Sequence, residues 1–295
     1  MRTKIPREAL LMLTLVLLAG NSAVFLLLAR EEPAHVLTVS FLDVGQGDAI
    51  LIEGPTGIEL LIDGGKDRSV LRELPRVMGP LDRTIVAVLA THPDADHIGG
   101  LPDVLARYRV GTVLLPARGT DTPQALRFAE AISREQGAQG VLANAGLRLH
   151  LGGGAYADVL YPEEDAGSLR ETNDASVMVR VVYGETEFLL TGDAPEWAED
   201  RVVARYGDRL RSDVLKAGHH GSRTSTGEAL LDAADPETVV VSAGRENPYG
   251  HPHEDVLSRV RASGAAVLST IDLGTIVFTT DGTNLTTRSL DPGAH

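Results

Sequence analysis

The chain opens with an apolar run unlike anything that follows it. Leu10 to Ala29, "LLMLTLVLLAGNSAVFLLLA", holds 20 residues without a charge, broken only by Thr14 and the Gly20-Asn21-Ser22 step. At about 1.5 Å per residue, a helix of that length reaches roughly 30 Å, the depth of a bilayer core. From residue 36 the apolar positions fall into shorter blocks. "VLTVSFL" (36–42), "AILIE" (49–53) and "IELLI" (58–62) read as strands, with "GPTG" (54–57) as the turn between the last two. "IVAVLA" (85–90) is continuously apolar, as expected of a strand buried on both faces. The spacing over 122–137 predicts an amphipathic helix with Gly137 as its stop. "SVMVRVVYG" and "EFLLTGD" flank a Gly184-Glu185 turn and predict a hairpin. Farther on, "DVLKAG", "TVVVSAG" and "AAVLST" read as strands, separated by the helical stretches "PEWAEDRVVARYG" and "HEDVLSRVRASG". "GTIVFTTDG" is expected to be the closing strand. Strands first paired by turns and then alternating with helices predict an α+β domain, two mixed sheets packed together with helices outside. The organisation expected is a tail over 1–9, a transmembrane anchor over 10–29, a polar linker over 30–36 and one domain over 37–290.

Charge orients this picture. Arg2, Lys4 and Arg7 precede the apolar run, while Arg30, Glu31 and Glu32 follow it. The positive-inside rule then places the N-terminus in the cytoplasm and the domain outside, on a single-pass anchor in the cytoplasmic membrane. A cleaved signal peptide has the same signature and would leave a secreted domain, although the run lacks a clear small-x-small site. Composition adds little: 43% hydrophobic and 23% charged residues describe a globular chain of 295 residues. The absence of Cys excludes disulfides, thiolate nucleophiles and Cys-ligated zinc. A formal charge of −14 argues against nonspecific gripping of polyphosphates by the whole surface.

The polar clusters fall at strand ends, where a rigid sheet presents chemistry from loops. Asp43 and Asp48 lie in "FLDVGQGDA", Asp63 closes "LLIDGG", and "THPDADHIGG" follows the buried strand with His92, Asp94, Asp96 and His97. Asp193 closes "LLTGD", His219 and His220 follow "VLKAG", and Asn247 and His251 lie in "NPYGHP". Imidazole and carboxylate together suit Zn²⁺, Mn²⁺ or Fe²⁺, and without thiolate the balance moves toward harder ions. The setting of Asp193 suits a carboxylate that bridges two metals. Asp43, Asp48 and Asp63 are candidates to hydrogen-bond metal-binding His residues. Lys216 and Ser222 flank the His pair and are candidates to hold a phosphate oxygen, and His251 is a candidate proton donor or substrate contact.

These motifs, in this order from about residue 37 to about 282, resemble the metallo-β-lactamase superfamily. They are most similar to the extracellular hydrolase domain of the ComEC competence DNA-uptake proteins. The resemblance implies a four-layer αββα sandwich with one or two divalent ions, Mn²⁺ or Zn²⁺, at one edge of the sheets. It implies that His92 and Asp94 serve the first metal, Asp96 and His97 the second, and that Asp193 bridges. An Asp at position 94, where the superfamily usually has His, is expected to favour Mn²⁺. The superfamily's next His is also missing, and "TNDASV" offers Asn173, Asp174 and Ser176 in its place. His219 or His220 completes the second site; spacing does not choose between them.

The function expected is metal-dependent hydrolysis of a phosphodiester outside the membrane, with Asp96, Asp193 and His251 as the catalytic set and DNA as the leading substrate. The absence of a Ser or Cys nucleophile motif fits direct attack by water activated between metal ions. A small-substrate phosphodiesterase or esterase, of choline-phosphate or lipid-headgroup type, suits the acidic charge better. A non-catalytic, membrane-tethered binding module is the alternative of another class, and the retained His92, Asp96, His97 and Asp193 speak against it.

Overall fold

The computed structural model describes residues 7–8, 11–14, 16–18, 20, 35–79, 81–135, 138–163 and 169–290. The chain forms two units, Met1–His35 and Val36–His295. The spanning helix expected over 10–29 falls largely outside the described residues, and no helix among them is long and apolar enough to cross a membrane.

The second unit begins with β1 (Leu37–Phe41), β2 (Ile50–Glu53), β3 (Glu59–Ile62), β4 (Thr84–Leu89), β5 (Arg109–Leu115) and β6 (Gln139–Leu142). Then come β7 (Arg148–Gly152), β8 (Ala155–Tyr161), β9 (Met178–Tyr183), β10 (Thr186–Leu190), β11 (Val214–Lys216), β12 (Thr238–Val241) and β13 (Ala266–Ser269). The last strands are β14 (Thr275–Thr280) and β15 (Leu285–Leu290). They assemble into two mixed sheets, ordered β15-β14-β1-β2-β3-β4-β5-β6 and β13-β12-β11-β10-β9-β8-β7. The helices include α1 (Val70–Val77), α2 (Ala95–Ile98), α3 (Leu101–Leu105), α4 (Pro123–Arg134), α5 (Glu196–Tyr206), α6 (Glu228–Ala234), α7 (Glu254–Ala262) and α8 (Thr270–Leu273).

Three apolar clusters define the layers. Val39, Phe41, Ile52 and Phe278 of one sheet meet Val179, Val181 and Phe188 of the other, forming the core between the sheets. The outer face of the first sheet packs Leu51, Leu61 and Val88 against Leu74, Leu101 and Phe128 of α1, α3 and α4. Leu189, Leu215 and Val239 of the second sheet pack against Ala198, Leu231 and Val256 of α5, α6 and α7. The order is therefore helices, sheet, sheet, helices.

The hairpin predicted around Gly184 is present, with Thr186 opposite Tyr183. The helix predicted over 122–137 forms as Pro123–Arg134, with the Thr122 hydroxyl accepting the Ala125 N–H as its cap; Gly137 lies outside the described residues. "GTIVFTTDG" is not the closing strand. It is β14, and β15 turns back to cover its outer edge. The pattern missed β15 because it lies on an edge with its four central residues exposed, so the two-residue apolar alternation is absent.

Candidate metal centre

The centre begins with a register. Parallel pairing sets Ile62 of β3 beside Leu89 of β4, so Asp63 and Thr91 leave the sheet next to each other. The fully buried Asp63 carboxylate accepts the Thr91 N–H at 2.8 Å on Oδ1, and the Thr91 hydroxyl at 2.6 Å and His97 Nδ1 at 2.7 Å on Oδ2. With both oxygens engaged, Asp63 orients His97. The Nδ1 proton is held and Nε2 is left to face the cluster, which is the usual way a carboxylate orients a metal-binding imidazole. Asp63 itself sits at φ 58°, a conformation that Asp tolerates better than most residues.

His97 Nε2 faces Asp193, which leaves the end of β10. Asp193 Oδ2 is the focus of the site: it lies 3.2 Å from His97 Nε2, 3.3 Å from His220 Nε2, 3.7 Å from His219 Nε2 and 3.9 Å from His92 Nε2. Gly192 is required here, because a Cβ on it would lie 2.3 Å from Ser176 Oγ. That hydroxyl accepts the Asp193 N–H at 2.9 Å and lies 3.4 Å from His92 Nδ1. Ser176 thus ties two members of the site together.

The two neighbouring histidines differ. Both adopt left-handed backbone, His219 at φ 48° and His220 at φ 56°, strain that tends to mark functional positions. His220 is buried, and Nδ1 donates to the Ser242 carbonyl at 2.9 Å, so Nε2 turns toward Asp193 and Asp96, whose Oδ2 is 3.4 Å away. His219 is 28% exposed and Nδ1 contacts the Thr224 hydroxyl. His220 has the ligand's geometry, and His219 stands at the rim.

Asp94 is partly exposed; Oδ2 lies 3.8 Å from His92 Nε2 and Oδ1 accepts the Thr172 hydroxyl at 2.7 Å. Of the "TNDASV" segment, Thr172 and Ser176 reach the site. The Asn173 and Asp174 side chains shape their own turn, the first accepting from Thr172 and the second from the Glu171 N–H. Thr172 and Thr91 escape a sequence reading because lone threonines carry no signal until the register places them.

Lys216, at the end of β11, is 0% exposed. Its ammonium reaches the Gly192 carbonyl at 2.8 Å, the Ala217 carbonyl at 3.1 Å and Asp48 Oδ2 at 2.6 Å. Its protons are committed inside the protein, so it braces Asp48 and the Asp193 loop, and the expectation that it holds a substrate phosphate is set aside. Ser222 is likewise occupied within its own loop, with Thr224. Asp43 accepts the Gly45 N–H at 3.3 Å in the first loop. Gly47 lets that loop pass so close to α2 that an added Cβ would lie 1.9 Å from the Asp96 carbonyl. Asn247 clamps the loop of His251, donating to the His251 carbonyl at 2.6 Å and accepting its N–H at 2.9 Å. The His251 ring then lies 5.5 Å from that of His219.

Electrostatics follow from burial and crowding. Burial, then the neighbouring His97, holds His92 neutral with its pKa down at about 3. Burial opposes charge on His97 and His220, but Asp193, helped by Asp63 for one and Asp48 for the other, raises both well above the ordinary range. Burial would raise Asp48, yet Lys216, His220 and His97 bring it down to about 2. Burial and the adjacent His219 and His220 lower His251 to about 4.

The arrangement fits a divalent cation. The Nε2 atoms of His92, His97 and His220 and Oδ1 of Asp193 are buried without hydrogen-bond partners among the described residues. Such orphans are costly singly, and these converge: His92, His97 and Asp193 offer ligand atoms within 4.8 Å of one another, as do Asp96, His97 and His220. Imidazole with carboxylate and no thiolate suits Zn²⁺, Mn²⁺ or Fe²⁺.

Residues 42–245 match the model of the Metallo-beta-lactamase superfamily. The chain is 30% identical over 264 residues to ComE operon protein 3 of Bacillus subtilis, covering 81% of this chain and 32% of the relative. It is 32% identical over 247 residues to competence protein ComA of Neisseria gonorrhoeae, covering 83% and 33%. It thus spans about a third of the length of these curated relatives. The crystal structure of CmlA, a diiron beta-hydroxylase from Streptomyces venezuelae, superposes with a TM-score of 0.52 at 17% identity, over 86% of this chain and 54% of that one.

Proposed function

The chain belongs to the metallo-beta-lactamase superfamily, and from that premise we propose that it is a metal-dependent phosphodiesterase acting on nucleic acid outside the cytoplasmic membrane. The observation that carries the hydrolytic reading is the convergence of His92, His97 and His220 Nε2 on Asp193 in a buried pocket of orphaned ligand atoms. The phosphodiester reading is supported by similarity to competence proteins over more than four-fifths of the chain. The outward location is supported by Arg2, Lys4 and Arg7 ahead of the apolar run 10–29.

One or two divalent ions held by His92, Asp94, Asp96, His97, Asp193 and His220 would supply acidified water and a Lewis acid for the phosphoryl oxygen. The residues do the rest. Asp63 and the Ser242 carbonyl engage Nδ1 of His97 and His220, so each imidazole directs Nε2 alone into the cluster. Thr172 steadies Asp94, the oxygen donor that inclines the site toward Mn²⁺. A side-chain nucleophile is not needed: the chain has no Cys, and Ser176 is committed to Asp193 and His92. His251, its Nδ1 buried and unpartnered among the described residues, stands at the rim as a neutral imidazole placed to hydrogen-bond the substrate.

The formal charge of −14 supports a second reading, a small-substrate phosphodiesterase. Full-length protein loaded with Mn²⁺ or Zn²⁺ tests both readings on a single-stranded oligonucleotide and a chromogenic diester. Mn²⁺ is expected to serve at least as well as Zn²⁺. Asp193→Ala should abolish turnover, whereas His251→Ala should slow it without eliminating it. A nuclease gripping several phosphates weakens steeply as salt rises, and a small-diester enzyme does not. Failure of the wild type on every diester overturns the proposal.

A further inference from the structure

Beside the metal centre lies a pocket that the hydrolytic chemistry does not use. Its volume is about 300 Å³, and its walls include Pro93, Ile98, Leu115, Ala125 and Phe128, with Thr120 as a side-chain hydroxyl. Pro93 separates His92 from Asp94, and Ile98 follows His97. The inner wall of the pocket is therefore the backbone that carries the ligand side chains. The outer wall is α4, and the roof is the loop 116–122 that enters it.

Arg118 belongs to that roof. Its guanidinium donates to the Leu169 carbonyl, three residues ahead of Thr172, whose hydroxyl holds Asp94. The bond ties the roof loop to the segment that carries Thr172. Arg118 Nε is buried without a hydrogen-bond partner among the described residues, a donor still to be satisfied. An apolar cavity walled by the backbone of the ligand motif, with a guanidinium carried on its roof loop, suits a molecule that joins an uncharged flat group to a phosphate.

The lining selects among such molecules. A quaternary ammonium headgroup is held by a cage of aromatic faces or by carboxylates, and this pocket has one aromatic ring, Phe128, and no acidic residue. Its volume is also at the small end of ligand sites. A nucleobase meets both limits, since its faces are apolar and every base can stack on an aromatic ring or pack on aliphatic groups.

We propose that this pocket receives the base next to the scissile phosphodiester, so that the enzyme selects nucleotide esters over headgroup esters. This rests on the phosphodiesterase reading and goes beyond it by naming the group that is read. Ala129 gives the means to test it, because it lines the pocket from an exposed position on α4 and a larger side chain there fills the cavity without entering the core.

The experiment is calorimetric titration of the Mn²⁺-loaded full chain with thymidine 5′-monophosphate, phosphocholine and inorganic phosphate. Wild type should bind the nucleotide at least about tenfold more tightly than either of the others, as one stacked base allows. Ala129→Trp should remove that advantage while leaving inorganic phosphate within about twofold, and Ala129→Ser should behave as wild type. Arg118→Gln should weaken nucleotide and inorganic phosphate together. The inference is overturned if the nucleotide binds no better than phosphate, if Ala129→Trp leaves its affinity unchanged, or if phosphocholine matches it. Binding is read without turnover. A chain that cleaves no diester but binds the nucleotide selectively refutes the hydrolytic reading alone; one that cleaves diesters without base selectivity refutes only the pocket.

Discussion

At the scale of single residues, the His219-His220 pair shows how backbone conformation divides two identical side chains. The Ser242 carbonyl holds His220 Nδ1, which commits Nε2 to the buried cluster, while His219 is partly exposed beside Thr224. His220→Ala is therefore expected to lower metal content and affinity sharply, and His219→Ala to leave the metal bound while impairing turnover. Asp63→Asn keeps the shape but loses the charge that faces His97 Nδ1, and a change of this kind typically costs about 10–100-fold in metal affinity. Competition against a chelator measures all three. Equal affinities for His219→Ala and His220→Ala would contradict the division drawn from the geometry. The sequence put both histidines and Asp63 near the site but could not rank them, because the ranking depends on Ser242 and Thr91, which lie 22 residues from His220 and 28 from Asp63.

At the scale of elements, the pairing of β2 with β3 sets Glu53 opposite Glu59. Burial, then Asp82 and Glu53, lifts Glu59 from 4.5 to about 8. In the unfolded chain Glu59 ionises near 4.5. Between that pH and about 8 the folded state keeps a proton that the unfolded state has released, so stability is lost as pH rises. Below 4.5 both states are protonated and the contribution is fully present. Glu59→Gln removes the dependence: its melting temperature should match wild type near pH 4 and exceed it by roughly 3–6 °C near pH 9. Parallel melting curves for the two proteins from pH 4 to pH 9 would show that Glu59 ionises normally. The "GPTG" turn joins the two strands in the sequence, but only the register of the folded hairpin decides that Glu59, and not Ile58, faces Glu53.

At the scale of the whole molecule, the anchor proposed over 10–29 with the domain outside the cytoplasmic membrane predicts that protease added to intact cells, with any outer membrane permeabilised, removes the domain. Protection until the cytoplasmic membrane is lysed would refute the orientation. What the sequence determined by itself was local in cause. The apolar blocks set most strands, the Gly184-Glu185 turn set a hairpin, and polar motifs stopping at strand ends brought His92, Asp96, His97, Asp193 and the His219-His220 pair forward as one candidate centre. Each of these needs only neighbouring residues to be recognised. Tertiary structure decided what depends on distant partners. It made Lys216 an internal brace because β11 ends under Asp48 and Gly192. It brought Thr172 to Asp94 across 78 residues. It also formed the pocket between Pro93 and α4, which exists only where a loop, a helix and a strand end meet. Burial and distance are properties of the packed chain, and they turn a set of candidate side chains into a site with a defined chemistry.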